Sequence, residues 1–412
     1  MKILIVVSRL PHPLEKADGM TVYRMIKYLA PRHEIYLACF HERDEQLDYL
    51  PEVQKYCAAV ECVRLKRWRA LANVARGLFV PGRPLQVSYY RDLEMQAAVD
   101  RLIAKYQPDL AYAQLIRAAP YIQNKTGMKR VLGMQISQTL NYSRMIRHAR
   151  SLFHRVLYAV EYRKVRRYEP AITRRFDSCL CISRHDKEAL AGHEQIKNMA
   201  YCPHGIDVRY FTAPGDVPRQ NAIVFSAFLD APTNVDAILY FYEEIYPLVK
   251  QQVPDVRLFV IGKSPRRAIR RIPKHDSSVE VTGFLKDMRP YYEIAKVGID
   301  PVRIAAGMQN KLLTGMCMDV PMVATSIANE GIGAEHGKHL LVADRPADFA
   351  EGIVTLMRDD AKARQMAAEA RRFVEQYWTW EYHFEKFESH LHEVLHGPHV
   401  GETDTRRLGR AA

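Results

Sequence analysis

The chain has 412 residues, 48% of them hydrophobic and 26% charged, enough for two ordinary domains with sizeable cores. No apolar run reaches the roughly 18 residues that a spanning helix needs, and the opening MKILIVVSRLPHP lacks the small-residue pattern of a cleaved leader. Sixty Lys and Arg against 47 Asp and Glu give a net charge of +13, a field that attracts anionic surfaces, and no nucleic-acid-binding motif accompanies it.

Strand and helix patterns alternate along the first half. Residues 2–7 read as strand, 20–28 as helix, 35–40 as strand, 95–106 as helix, and 110–112 and 130–135 as strands. Residues 143–175 hold ten Arg and Lys interleaved with Leu152, Phe153, Val156, Leu157, Tyr158 and Val160, which predicts one long basic amphipathic helix. Two readings of it stay open: a solvated face, or a surface that docks on anionic lipid headgroups. A second basic cluster, 64–69, precedes the apolar stretch 71–80. Residues 178–182 form the next strand, with Cys179 and Cys181 on one face as buried thiols.

The Pro- and Gly-containing stretch 198–218 reads as a break. A second alternation follows, with strands at 222–227, 256–261, 279–282, 297–301 and 322–325 and a helix at 235–251. The tail 359–395 reads as helices and 397–412 as disordered. This order predicts an α/β fold of two Rossmann-like halves with parallel sheets, whose ligands sit beyond the carboxyl ends of the strands. Seven scattered cysteines without a C-x-x-C pair fit the reducing cytosol.

The most informative stretch is 301–325, PVRIAAGMQNKLLTGMCMDVPMVAT. Gly307 lets a backbone loop approach a ligand, and a helix is expected over 308–316. Lys311 in its first turn adds a charge to the free N–H groups of the helix start, here those from Met308 onward. Together they suggest a cradle for a diphosphate, whose charge grows as it leaves. Arg303 either adds a second positive charge or pairs with an acid of its own domain. Gln309 and Asn310 are candidates to hydrogen-bond phosphate or sugar hydroxyls. Gly19, between the first strand and its helix, is either a second anion turn or a plain turn glycine. There is no Asp-x-Asp pair and no His/Cys cluster, so no metal or cofactor is called for; His383, His390, His392 and His396 read as exposed tail residues.

The stretch resembles the donor site of the retaining family-4 glycosyltransferases of the GT-B fold, and is most similar to the sugar transferase branch of bacterial exopolysaccharide clusters. Residues 203–211 (PHGIDVRYF), 281–291 (VTGFLKDMRPY), 330–332 (EGI) and 339–344 (HLLVAD) resemble further motifs of that branch, in the same order. The resemblance implies an N-terminal acceptor-side domain (1–200), a C-terminal nucleotide-sugar domain (201–377), a cleft between them, and a helix at about 378–395 that packs back on the first domain through Trp378, Trp380 and Phe384. It implies transfer, with retention and without a metal, from a nucleotide sugar to a lipid-linked or growing surface glycan. The site would be cytoplasmic, on the inner membrane face, with 143–175 against the membrane. Gly19 would face the donor diphosphate, and the segment at Phe284 and Leu285 would meet the base.

The chain departs from the family at Thr314 and Ala306, where acids are usual, and at Asp319, where glycine is usual. A carboxylate binds two ribose hydroxyls; a threonine offers one weaker partner. On the acceptor side, Gln135, Ser137 and Asn141 follow a strand end, and Ser183, Arg184 and His185 form a second polar patch; helix caps are the competing reading for both. No general base is named, since the leaving phosphate can take the acceptor's proton. Three functions stay open: an active transferase, an impaired copy that scaffolds another transferase, and a nucleotide-sugar epimerase of the same fold.

Overall fold

The computed structural model describes residues 1–13, 17–149, 151–191, 198–213 and 217–397; the rest of the tail expected to be disordered lies outside them. The chain forms two compact units, one of Met1–His204 with the segment from His383, the other of Gly205–Tyr382.

The first unit is built on seven parallel strands: β1 (Lys2–Val6), β2 (Glu34–His41), β3 (Ala59–Arg64), β4 (Leu110–Gln114), β5 (Lys129–Gln135), β6 (Ser178–Cys181) and β7 (Met199–Tyr201), in the order β3-β2-β1-β4-β5-β6-β7. β1 and β4 are buried on both faces after their first residues, so they read as continuous apolar runs rather than alternations. Cys179 and Cys181 are both buried, and all seven thiols are free. β7 falls inside the stretch expected to be a break; at three residues it is too short to leave a pattern. β3 is an edge strand of half-buried residues and carries Glu61 and Arg64, which masks it in sequence.

The long basic helix is two helices, Gln138–Arg147 and Leu152–Thr173. Ser151 caps the second, its Oγ accepting from His154 N at 3.3 Å. Nor is its charge all solvated. Lys164 is buried and donates to the carbonyls of Gly77 and Val80, both at 2.8 Å, and Glu161 and Glu169 are buried with it.

Helix Trp380–His396 brings Phe384 against Tyr28 and Phe387 against Tyr112, with ring centroids 5.4 and 5.6 Å apart. Glu388 accepts from Arg32 Nε and Nη2, each at 2.8 Å, and lies 2.7 Å from His33 Nε2. The tail histidines are not all exposed: His383 is buried, and His390 Nε2 lies 2.8 Å from Ser178 Oγ. Trp378 belongs to the core of the second unit. Among the described residues no helix is long and apolar enough to cross a membrane.

The second unit holds β8 (Gln220–Ser226), β9 (Arg257–Ile261), β10 (Val279–Gly283), β11 (Ala295–Asp300), β12 (Met322–Ala324) and β13 (Leu341–Val342), parallel in the order β10-β9-β8-β11-β12-β13. The helix expected over 235–251 is interrupted: Pro232–Tyr240 runs into a π-helical turn, Phe241–Ile245, before Tyr246–Gln252. Pro247, in the first turn of that last piece, has no N–H to continue the ladder. Gly315, an odd choice inside a helix, has a packing reason. A Cβ there would stand 2.1 Å from the sulfur of Met322 on β12.

Candidate functional site

In the second sheet the strand order reverses between β8 and β11, and loops beyond the carboxyl ends at such a switch point form a ligand crevice. The segment that leaves β11 there is the one singled out in sequence. Asp300 ends the strand, 301–309 forms the loop, and helix Asn310–Cys317 follows, two residues later than expected. Gly307 has φ +76, which a side chain would strain. The backbone of Gly331 presses on it: a Cβ at Gly331 would stand 2.0 Å from the Gly307 oxygen. Glu330 is thereby carried beside the Gly307 turn.

Lys311 lies in the first turn of the helix. Its Nζ donates to Asp300 Oδ1 and Oδ2 at 3.2 and 3.3 Å and to Gln309 Oε1 at 2.8 Å, and sits 5.7 Å from the Phe225 ring centroid. The Lys311 side chain is 9% exposed and Asp300 is wholly buried. Burial pushes the Asp300 carboxyl up, and Lys311 opposes that shift. Arg303 takes the second of its two readings: it chelates Asp236, with Nη2 2.8 Å from Oδ1 and Nε 3.1 Å from Oδ2, and stacks 4.0 Å from the Tyr240 centroid. Its side chain stays 30% exposed. Neither acid was singled out in sequence. Asp300 had a signal, an acid closing an apolar strand; Asp236, on helix Pro232–Tyr240, had none.

Thr314 is buried, and its hydroxyl donates to Asn310 O at 3.0 Å, inside its own helix. Asn310 itself is exposed, and Met308 and Gln309 are half-buried. Ala306 is half-buried in the loop, and Asp319 adopts a left-handed φ of +53, a conformation that favours glycine. At the sheet edge, Phe284 follows β10 with 70% of its surface exposed, while Leu285 turns inward against a small core with Phe259.

Gly19 is not in a loop. It stands in the first turn of helix Ala17–Leu29 with an ordinary φ, and a Cβ there would make ordinary contact, 3.6 Å, with Pro11 O. Among the residues expected to meet an acceptor, Ser137 caps helix Gln138–Arg147, its Oγ accepting from Leu140 N at 3.1 Å, while its N–H donates to Asp186 at 2.7 Å. Glu169 accepts from Gln138 N at 2.6 Å and from Thr139 N at 3.1 Å. Two buried carboxyl groups thus hold the start of helix Gln138–Arg147; Gln135, which ends β5 with a left-handed φ of +68, precedes it, and Asn141 is half-buried on it. Ser183 is likewise a cap: its Oγ accepts from Asp186 N at 2.9 Å. Arg184 lies over the Tyr201 ring and His185 meets Arg144. The ligand atoms of His33, Glu388 and His392 come within 4.8 Å of one another, a grouping not anticipated in sequence; Arg32 already holds the Glu388 carboxylate there.

Residues 220–359 match the family profile described as "Glycosyl transferases group 1". A protein of Klebsiella pneumoniae described as an uncharacterized 44.6 kDa protein in the cps region is 20% identical over 387 residues, covering 91% of this chain and 96% of that one. Among solved structures, HepE of Anabaena in complex with UDP superposes with a TM-score of 0.66 at 14% identity, over 95% of this chain and all of that one. Sucrose-phosphate synthase of Thermosynechococcus elongatus gives a TM-score of 0.70 at 15% identity over 96% and 99% of the two chains. TarM gives 0.71 at 10% identity over 96% and 98%. The chain has the GT-B fold, and its second unit carries a glycosyl transferases group 1 domain.

Proposed function

We propose that the chain is a retaining glycosyltransferase that moves a sugar from a nucleoside diphosphate sugar to a lipid-linked or growing surface glycan on the inner face of the plasma membrane. The observation that carries this reading is the Gly307 turn leading into a helix start with Lys311, at the switch point of the domain that matches the family. The UDP bound by HepE supports a nucleotide donor, and the cps-region relative supports a polysaccharide product.

In this reading the N–H groups after Gly307 and the Lys311 ammonium face the diphosphate. The acceptor oxygen bonds to the anomeric carbon as the bond from that carbon to phosphate breaks, on the same face. The acceptor's proton passes to the departing phosphate oxygen. No metal ion enters this scheme. Charge grows on the diphosphate in the transition state, where fixed donors count most. Phe284 offers an exposed ring for the base, and Glu330 offers the carboxylate for a sugar hydroxyl that Thr314 does not.

The membrane part of the reading has its own support in the first unit. Helix Arg67–Leu78 with Phe79 exposes Trp68, Leu71 and Phe79, the last at 86%. Helix Leu152–Thr173 exposes Leu152, Phe153 and Val156 in its first turns. Lys164 joins the two helices, and Arg155, Arg163, Arg166 and Arg167 stand exposed along the second. Apolar side chains flanked by arginine suit an anionic lipid surface.

The test is turnover. Purified protein is incubated with nucleotide sugars and lipid-linked acceptor, and the product's anomeric configuration is read by NMR. Product with the donor's configuration supports the reading. An inverted product, or none from any donor with folded protein, sinks it. For the membrane part, replacing Phe79 and Phe153 with Ser and Arg163, Arg166 and Arg167 with Gln is expected to abolish co-sedimentation with anionic vesicles. Equal sedimentation before and after would contradict it.

A further inference from the structure

The first sheet has a switch point of its own, between β1 and β4. Two arginines converge there. Arg9 stands three residues past the end of β1, and Arg117 three residues past the end of β4. Arg117 donates from Nε to Ser8 Oγ at 2.7 Å and from Nη2 to Asp18 Oδ2 at 2.6 Å. Arg9 Nε lies 3.2 Å from the same Oδ2. It is outside hydrogen-bond geometry, and this buried nitrogen has no hydrogen-bond partner among the described residues.

Two guanidiniums therefore share one carboxylate oxygen, which leaves one positive charge of the trio uncompensated by the groups that hold it. The charge is not sealed in: the Arg9 and Arg117 side chains remain 21% and 15% exposed. Tyr90 lies 4.9 Å from the Arg117 guanidinium carbon and fixes its plane. Burial draws the Arg117 guanidinium below its ordinary value, and Arg9 adds to that shift. Forked, immobilised guanidiniums match the oxygens of phosphate and have little rotamer freedom left to lose.

We infer that Arg9 and Arg117 form an anion subsite whose ligand is the phosphate or diphosphate group of the glycan acceptor. The inference rests on the proposed transferase reading and gives its acceptor a charged handle. The donor's own diphosphate has the same chemistry. The acceptor is favoured because the subsite lies beyond the sheet that also carries Gln135, Ser137 and Asn141, in the unit that lacks the Gly307–Lys311 cradle.

The experiment is calorimetric titration of the full chain with inorganic pyrophosphate, farnesyl diphosphate and UDP. Wild type is compared with Arg9→Gln and with Asp18→Asn, each checked for folding by circular dichroism. With UDP saturating the Gly307–Lys311 cradle, Arg9→Gln is expected to weaken pyrophosphate and farnesyl diphosphate at least tenfold, and on its own to leave UDP within twofold. Asp18→Asn, which removes the shared carboxylate and keeps both arginines, is expected to tighten the first two severalfold. Unchanged affinities in both variants overturn the subsite. A tenfold loss of UDP in Arg9→Gln assigns the subsite to the donor and overturns the acceptor assignment. A wild type that binds farnesyl diphosphate through Arg9 but no nucleotide leaves the subsite standing and defeats the donor site instead, so the two failures are separable.

Discussion

The two switch points of this molecule handle positive charge in opposite ways. In the second unit Lys311 and Arg303 each have a carboxylate, Asp300 and Asp236. In the first, Arg9 and Arg117 divide one, Asp18. A cation already paired in a buried site attracts a standing anion weakly, yet its fixed positive charge still acts on charge that develops nearby during bond breaking. Cations that share a counterion attract an anion that is present from the start. The first arrangement suits a leaving group and the second a group that is only held.

The largest expected effect breaks the paired side. Lys311→Ala removes the donor and strands a buried carboxylate. It is expected to lower turnover about a hundredfold and stability by about 3–5 kcal/mol. Adding Asp300→Asn should restore much of the stability and none of the turnover, as read by urea unfolding and product assay. If stability and turnover recover together, Lys311 is structural only.

On the first-unit side, burial pushes the Glu169 carboxyl up to about 7 from an ordinary 4.5, against the hydrogen bonds from Gln138 and Thr139. A raised pKa means the neutral form is the stable one in the fold. The contribution is fully present below 4.5 and is lost as pH rises through 7. Wild type is expected to lose on the order of 2 kcal/mol of unfolding free energy between pH 5 and pH 8 from this group. Glu169→Gln should flatten that part of the profile, and parallel profiles would remove Glu169 from the account of the acceptor-side loop.

Smaller effects sharpen the donor side. Stacking on an exposed ring is worth about 1–3 kcal/mol per base, so Phe284→Ala should weaken UDP roughly tenfold in calorimetry; no change would leave base recognition to the backbone. Thr314→Val removes only a hydroxyl already spent on Asn310 O. Nucleotide affinity is expected to stay within about twofold, since the net worth of such a bond is about 1 kcal/mol and it does not face the ligand. A tenfold loss would place the hydroxyl on the ribose after all.

Sequence reading went furthest where one segment carries both pattern and chemistry. The strand, turn glycine, helix and lysine of 295–317 are consecutive, so their local order dictates the crevice. The parallel α/β class followed from the alternating order of strand and helix patterns, and the structure gives β1 and β4 as apolar runs buried on both faces. What escaped is what long-range contact decides. Asp236 reaches Arg303 across 67 positions, and Arg117 reaches Ser8 across 109. Composition shows an arginine but not which carboxylate takes it. The basic stretch misled for the same reason: Lys164 and Glu161 have the spacing of a solvated face, but the segment 77–85 folds over them and takes their hydrogen bonds.

Hydrogen exchange of the full chain with and without UDP, read peptide by peptide, tests the central claim most directly. UDP is expected to slow exchange at the amides of 307–313 and 283–286 and to leave 7–13 and 115–119 unchanged. Protection confined to the first-unit peptides, with 307–313 unaffected at saturating UDP, would contradict the assignment of the donor site to the second switch point.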